Sequence, residues 1–184
     1  EPNLLGPDKK IAVLGAGFLG LLAVQMIKQI VPETPVFLAD RNSFKLQIGQ
    51  SFGAQTIKTA STETWDQFIN ENRSGFSFVL EATGTADGFR SSIDLTRAGG
   101  RIVWMGNISD DLLLSKTTVS SILRKEIQII GTWNSKYRGD EPSDWTQVLK
   151  MMEQGWMPSK LVSHTVGLDG IGHLISQIND HKTK

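Results

Sequence analysis

Three glycines near the start of the chain have the spacing of a phosphate-binding turn. Gly15, Gly17 and Gly20 form the pattern Gly-x-Gly-x-x-Gly after the short apolar run Lys10–Leu14 and before Gly17–Ile30, a stretch of good helix formers. In this context the first glycine permits a sharp turn, the second leaves room for a pyrophosphate to approach the backbone, and the third lets the helix pack close to the strand. Unpaired N–H groups at the start of the helix would then face the phosphates.

A carboxylate follows at the position where a nucleotide ribose would be bound. Asp40 ends the apolar run Val36–Ala39, about 20 residues beyond the turn, and can accept hydrogen bonds from both hydroxyls of an adenosine ribose. A 2'-phosphate there would meet a like charge, so Asp40 favours NAD over NADP. Arg41 could pair with such a phosphate, but beside Asp40 we expect it to lie against the adenine.

The same residues have a simpler explanation. The glycines could serve a tight turn that binds nothing, with Asp40 as a strand-end cap. We favour a dinucleotide site because the strand, the glycine spacing, the helix and the acid all occur together.

The remaining segments alternate between strand and helix patterns. Strands are predicted at Lys10–Leu14, Val36–Ala39, Ala54–Ile57, Phe76–Ala82, Arg101–Met105 and Ile127–Ile130. Helices are predicted at Gly17–Ile30, Ser43–Phe52, Glu63–Asn72, Gly88–Leu95, Val119–Arg124, Asp144–Gln154 and Leu168–Asn179. This alternation implies right-handed crossovers and helices on both faces of a parallel sheet. The predicted fold class is α/β, a Rossmann-type doubly wound parallel sheet of about six strands.

Further site residues are expected where the later strands end. In open parallel sheets, ligands bind outside the carboxyl ends of the strands. Thr83 and Gly84 follow the fourth predicted strand and Gly106 follows the fifth, so we expect all three to border the cofactor. An ordinary loop role would explain each of them equally well.

The composition restricts the partners and the location. The 19 basic and 19 acidic residues cancel without forming like-charge runs, which gives no attraction to nucleic acid or to an anionic membrane. The chain has no cysteine, and His164 has no second ligand at workable spacing, so no metal site is expected in it. The longest apolar stretch, around Leu19–Val24, is far short of a membrane span, and no export signal precedes it, which predicts a cytoplasmic protein.

Taken together, these segments resemble the cofactor domain of the zinc-dependent medium-chain alcohol and polyol dehydrogenases. The motifs that occur in that family's order and spacing are Gly15–Gly20, Asp40 with Lys45, Ser51–Ala54, Glu81–Gly84 and Gly99–Gly106. A later segment, Ile122–Trp133, is most similar to galactitol-1-phosphate 5-dehydrogenases within the sorbitol-dehydrogenase-like group. The resemblance covers essentially the whole chain.

The resemblance implies an NAD-binding Rossmann domain over residues 1–184, excised from an enzyme that transfers hydride between NAD and a secondary alcohol of a polyol or polyol phosphate. Zinc is then expected in the parent protein but not in this chain, which alone would be inactive. By position, the backbone of Phe18 and Leu19 would lie near the pyrophosphate, and Lys45 would reach the 3'-hydroxyl of the ribose. Backbone around three later residues would position the nicotinamide carboxamide: Gly106, Ile130 and Thr132.

Other interpretations of the sequence stay open. A stand-alone NAD-sensing regulatory domain would use the same fold. A methyltransferase that binds S-adenosylmethionine also pairs a glycine turn with an acid, although Gly20 and the later motifs argue against it. The apolar extended run around Leu112 predicts a sheet edge through which two copies of the chain associate.

Overall fold

The structure is a computed structural model that describes residues 8–59, 61–135 and 143–182. Its strands are β1 Ile11–Leu14, β2 Val36–Asp40, β3 Gln55–Lys58, β4 Phe76–Glu81, β5 Thr96–Trp104 and β6 Gln128–Gly131. Its helices are α1 Phe18–Ile30, α2 Ser43–Ser51, α3 Thr62–Glu71, α4 Ala86–Leu95, α5 Lys116–Arg124, α6 Asp144–Glu153 and α7 Ile171–Lys182. Short 3₁₀ helices span Pro158–Leu161 and Leu168–Gly170.

The strands form one parallel sheet in the order β3-β2-β1-β4-β5-β6. The chain builds outward from β1 to β3 and then crosses back to place β4 on the other side of β1. This reversal creates a crevice at the carboxyl ends of β1 and β4, where doubly wound sheets bind their ligands. The predicted α/β fold with a Rossmann-type parallel sheet is confirmed.

Strand β1 lies in the middle of the sheet and contributes to the core on both faces. Ile11 and Val13 pack with apolar residues of α1, whereas Ala12 and Leu14 belong to a second cluster that contains Phe68 of α3. All four β1 residues are buried, as expected for a parallel strand covered by helices on both sides. A third cluster lies farther along the sheet and contains Phe89, Ile93, Ile102 and Ile127.

The register aligns the strand ends that hold the predicted site. Leu14 pairs with Ala39 of β2 on one side and with Glu81 of β4 on the other. The residues that come next along each strand or turn, Gly15, Asp40 and Ala82, therefore leave the sheet at the same edge.

Several predicted boundaries differ in the structure, most of all in β5, which begins at Thr96 rather than Arg101. The last helix begins at Ile171 rather than Leu168, because a 3₁₀ turn precedes it. The run around Leu112 contains no strand, so the expectation that it forms the sheet edge was wrong. Leu112 and Leu114 instead pack against the third core cluster, and the open edge on that side is β6. Within the described ranges, no helix has the length and apolar character to cross a membrane.

Candidate cofactor site

The turn between β1 and α1 needs its glycines for different reasons. Gly15 has a φ of +96°, and a Cβ there would lie 3.0 Å from the backbone carbonyl of Ala82. A Cβ on Gly20 would lie 1.9 Å from the Gly15 carbonyl oxygen, so this glycine allows the helix to approach the turn. A Cβ on Gly17 would meet no atom within 4 Å, which leaves open space over the turn.

The first turn of α1 faces that open space with its backbone. Gly17 is the N-cap residue and provides no side-chain hydrogen bond to the helix, and the first turn contains no acidic residue. The first-turn amides therefore keep the hydrogen-bonding capacity and positive partial charge of a helix start. Phe18 and Leu19 are exposed at this end of the helix.

Asp40 is the last residue of β2, and its carboxylate is held by the backbone on both sides. Its Oδ2 accepts a hydrogen bond from Ala16 N at 2.7 Å, and its Oδ1 accepts one from Asn42 N at 2.8 Å. The first bond ties β2 to the glycine turn, a connection that the sequence pattern did not predict. Because Ala16 N–H is bonded to Asp40, an anion over the turn would have to use the amides that follow it.

A cavity of about 650 Å³ opens at the carboxyl ends of β1, β2 and β4. Of the residues predicted from the sequence, its lining contains Gly15, Gly17, Asp40, Arg41, Lys45 and Thr83. Lys45 lies in the first turn of α2, where Asn42 caps the helix by accepting a hydrogen bond from the Lys45 backbone N. Asp40, Arg41 and Lys45 thus lie along one side of the cavity.

The rest of the cavity lining contains residues that we did not predict. Thr59, Ser61, Thr62 and Trp65 come from the segment that joins β3 to α3, and Thr85, Asp87, Gly88 and Ser91 come from the start of α4. Thr59 comes directly after the end of β3 and donates its backbone N–H to the Asp40 carbonyl oxygen at 3.0 Å, so the strand-end rule applied to β3 would have found it. The half-buried Trp65 packs on Phe68, with ring centroids 5.5 Å apart, and also lines the cavity.

Seven other predicted residues lie outside the lining of this cavity: Phe18, Leu19, Gly20, Gly84, Gly106, Ile130 and Thr132. Gly84 and Gly106 bring two loops together, since a Cβ on Gly106 would lie 2.4 Å from Gly84 N. Thr132 is bound to the end of β5, donating from its backbone N to the Trp104 carbonyl oxygen at 3.0 Å. Ile130 is partly exposed on β6.

A buried acid supports the loop between β4 and α4. The Glu81 side chain is fully buried, and its Oε1 accepts hydrogen bonds from both Thr83 N, at 2.7 Å, and Thr83 Oγ1. Its Oε2 has no hydrogen-bond partner among the described residues. The bare Cα atoms of Gly88 and Gly106 make room for this carboxylate, because a Cβ on either would lie within 2.9 Å of it. The available sequence signal for this role was an acidic residue at the end of a largely apolar strand.

We find no candidate metal site in the described part of the chain. Residues 8–59, 61–135 and 143–182 contain no group of three or more His, Cys, Asp or Glu side chains that could hold a metal ion. His164, the histidine weighed as a ligand from the sequence, has Ser163 Oγ 2.8 Å from its Nδ1.

A family model for zinc-binding dehydrogenases matches residues 19–154. The chain belongs to this family. Similar proteins include galactitol 1-phosphate 5-dehydrogenase of Escherichia coli K12, 27% identical over 93% of this chain and 50% of that protein. L-threonine 3-dehydrogenase of Klebsiella pneumoniae is 26% identical over 91% of this chain and 47% of that protein. The chain thus spans about half the length of the curated relatives that it matches.

Solved structures of zinc-binding dehydrogenases and related enzymes share the fold. Galactitol-1-phosphate dehydrogenase of Escherichia coli superimposes with a TM-score of 0.79 at 25% identity, covering 94% of this chain and 50% of that one. A short chain alcohol dehydrogenase of Escherichia coli CFT073, solved in complex with NADH, gives a TM-score of 0.81 at 22% identity over 95% of this chain and 50% of that one. The resemblance to the dehydrogenase cofactor domain is confirmed.

Proposed function

We propose that this chain binds NAD(H) in the cavity at the ends of β1, β2 and β4, as the cofactor domain of a dehydrogenase. The observation that carries the proposal is the pairing of an open glycine turn with a carboxylate fixed beside it. The space over Gly17 would admit a pyrophosphate, and the bond from Ala16 N holds Asp40 next to that space. The family match and the NADH complex of a protein with the same fold support it.

Different residues along the cavity would bind different parts of the dinucleotide. The amides at the start of α1, around Phe18, Leu19 and Gly20, would bind the pyrophosphate. Asp40 would accept hydrogen bonds from the adenosine ribose with the lone pairs that its backbone partners leave free. Lys45, on the same side, would reach the 3'-hydroxyl, and Arg41 would lie against the adenine.

The nicotinamide half would extend past Gly84 toward the ends of β5 and β6. There the backbone around Gly106, Ile130 and Thr132 would position the carboxamide, and Thr83 would border the cofactor between the two halves. When bound, NAD supplies the hydride acceptor for oxidation of an alcohol. This chain's own contribution is to bind the dinucleotide and fix its orientation.

For the parent protein we propose hydride transfer between NAD and a secondary alcohol of a polyol or polyol phosphate. The support is the similarity to galactitol 1-phosphate 5-dehydrogenase, although the threonine dehydrogenases are almost equally similar. The family is named for zinc, but the described residues do not fit a zinc site, so no step of the reaction is assigned to a metal bound here. The cytoplasmic location stays a prediction.

We also propose that the parent protein is a homo-oligomer. Strand β6 is the last strand of the sheet, all four of its residues are exposed, and Ile129 and Ile130 are apolar. An uncovered apolar edge strand favours association with another copy. This edge, and not the run around Leu112, is the surface expected to pair.

Calorimetric titration with NADH, NADPH and S-adenosylmethionine tests the cofactor assignment, and NADH is expected to bind best. Gly17→Ala should lower the NADH affinity by about tenfold or more, because the added methyl group takes the space left for the pyrophosphate. The same variant should lose less than about 1 kcal/mol of stability, since the methyl group meets no protein atom. An unchanged NADH affinity in Gly17→Ala would contradict the proposed binding site.

A further inference from the structure

The hydroxyl groups along the α4 side of the cavity form a chain of hydrogen bonds that begins at the buried Glu81. Thr83 donates its only hydroxyl proton to Glu81 Oε1. The Thr83 oxygen then accepts from Thr85 N at 3.1 Å and lies 3.0 Å from Thr85 Oγ1. Since Thr83 has no proton left to give, the Thr85 hydroxyl must be the donor in that contact.

Thr85 is left with a single possible interaction toward the cavity. Its proton is directed at Thr83, and one of its two lone pairs accepts from Gly88 N at 3.0 Å. The hydrogen bonds of the described residues therefore leave it one lone pair and no proton. The Thr85 side chain is exposed and lines the cavity, so a ligand group that contacts its oxygen must be a hydrogen-bond donor.

The part of the ligand that reaches Thr85 follows from the proposed function, on which this inference rests. With the pyrophosphate over Gly17 and the ribose at Asp40, the space that remains lies between the starts of α3 and α4. The purine base would occupy it, with Trp65 on one side and Thr85 on the other. A 6-aminopurine presents an N–H donor at its edge, whereas a 6-oxopurine presents a carbonyl oxygen there.

We propose that Thr85 determines base specificity by accepting a hydrogen bond from the exocyclic amino group of adenine. Glu81 is the positioning residue, because it fixes the direction of the hydroxyl chain without touching the ligand. A 6-oxopurine would place its oxygen against the Thr85 lone pair.

Calorimetric titration of the 184-residue chain with NADH and with its hypoxanthine analogue, in which oxygen replaces the 6-amino group, measures this discrimination. The analogue should bind roughly tenfold more weakly. Thr83→Val keeps the side-chain shape but removes the hydroxyl, which frees the Thr85 proton to face the ligand, so the ratio of the two dissociation constants should fall toward one. Thr83→Ser keeps the hydroxyl and should keep the ratio.

The role of Glu81 is tested by two substitutions of similar size. Glu81→Gln retains an acceptor oxygen for Thr83 and should retain the affinity ratio, whereas Glu81→Met removes the acceptor and should reduce the ratio. A purely structural role of Glu81 would change both affinities together and leave their ratio constant. The ratio compares two ligands on one protein, so a general loss of stability does not imitate the expected result.

The outcomes separate this inference from the proposed function. If the chain binds NADH and the analogue equally well, the inference is wrong and the cofactor assignment stands. A tenfold ratio that persists in Thr83→Val would also overturn the role of the hydroxyl chain. Failure of the wild-type chain to bind NADH at all would refute the proposed function and this inference with it.

Discussion

Replacing Asp40 by asparagine would remove the negative charge of this side chain while keeping its size and shape. In the structure its two oxygens accept from Ala16 N at 2.7 Å and from Asn42 N at 2.8 Å. Each oxygen of an ionised carboxylate retains a further lone pair, and we propose that these bind the ribose hydroxyls. Asparagine keeps the size but offers one acceptor oxygen and no charge, and that oxygen can satisfy Ala16 N.

The expected effect on selectivity comes from two sources. A hydrogen bond to a charged group contributes about 1.5–3 kcal/mol, so the loss of one from the ribose should weaken NADH binding roughly 10- to 100-fold. The repulsion between Asp40 and a 2'-phosphate would be about 3 kcal/mol per unit charge at 5 Å with an effective dielectric constant of 20, and salt reduces it. Asp40→Asn removes this repulsion as well as the ribose hydrogen bond, so the preference for NADH over NADPH should fall by roughly 100-fold or more.

Calorimetry with NADH and NADPH on the wild-type chain, Asp40→Asn and Asp40→Ser measures this change. Serine is too short to reach Ala16 N, and Ala16 is buried, so Asp40→Ser should also lose about 1–3 kcal/mol of stability. Asparagine should lose less, which makes it the cleaner test of charge. Equal affinity of the wild-type chain for the two dinucleotides, or an unchanged preference in Asp40→Asn, would refute the reasoning.

Two further predictions concern stability. Gly20→Ala would place a Cβ 1.9 Å from the Gly15 carbonyl oxygen and force α1 away from the turn. The free energy of unfolding measured in urea should therefore fall by about 1–3 kcal/mol. An unchanged free energy of unfolding would contradict the close approach of α1 to the turn. Burial raises the pKa of Asp94, and Lys125 opposes that shift. A carboxyl group with a raised folded-state pKa stabilises the fold below its unfolded-state pKa, and this contribution is lost as pH rises through the folded-state pKa. The Tm of Asp94→Asn relative to wild type should therefore increase between about pH 3 and pH 7, and a pH-independent difference would argue against it.

The sheet and the glycine turn could be predicted from the sequence because both depend on local patterns. The apolar run before Gly15 and the helix formers after Gly20 lie within one short segment of the chain. Two helix starts were also close to the prediction: α2 begins at Ser43 as predicted, and α4 begins at Ala86 rather than Gly88 because Thr85 caps it. Each of these features needs only neighbouring residues to be recognised.

The cavity lining contributed by α3 and α4 could not be predicted in the same way. Trp65 lies in an amphipathic helix and packs on Phe68, which is the ordinary place for a core residue. Only the order of the strands brings the start of α3 opposite the start of α4, and that order depends on contacts between distant parts of the chain. The prediction of a sheet edge around Leu112 was wrong for a related reason. Leu112 and Leu114 pack against the third core cluster, whose residues come from distant parts of the chain.

Asp40 and Glu81 show how a small difference in register assigns different roles to two acids. Both close a parallel strand beside β1, but Leu14 pairs with Ala39 on one side and with Glu81 on the other. Asp40 therefore lies one residue beyond the level of Glu81, which brings it to the cavity, while Glu81 stays fully buried and binds Thr83. Under the proposals made above, one carboxylate binds ligand hydroxyls and the other directs protein hydroxyls. Part of the specificity of the pocket then depends on a residue that never meets the ligand, which a search for ligand-contacting residues would overlook.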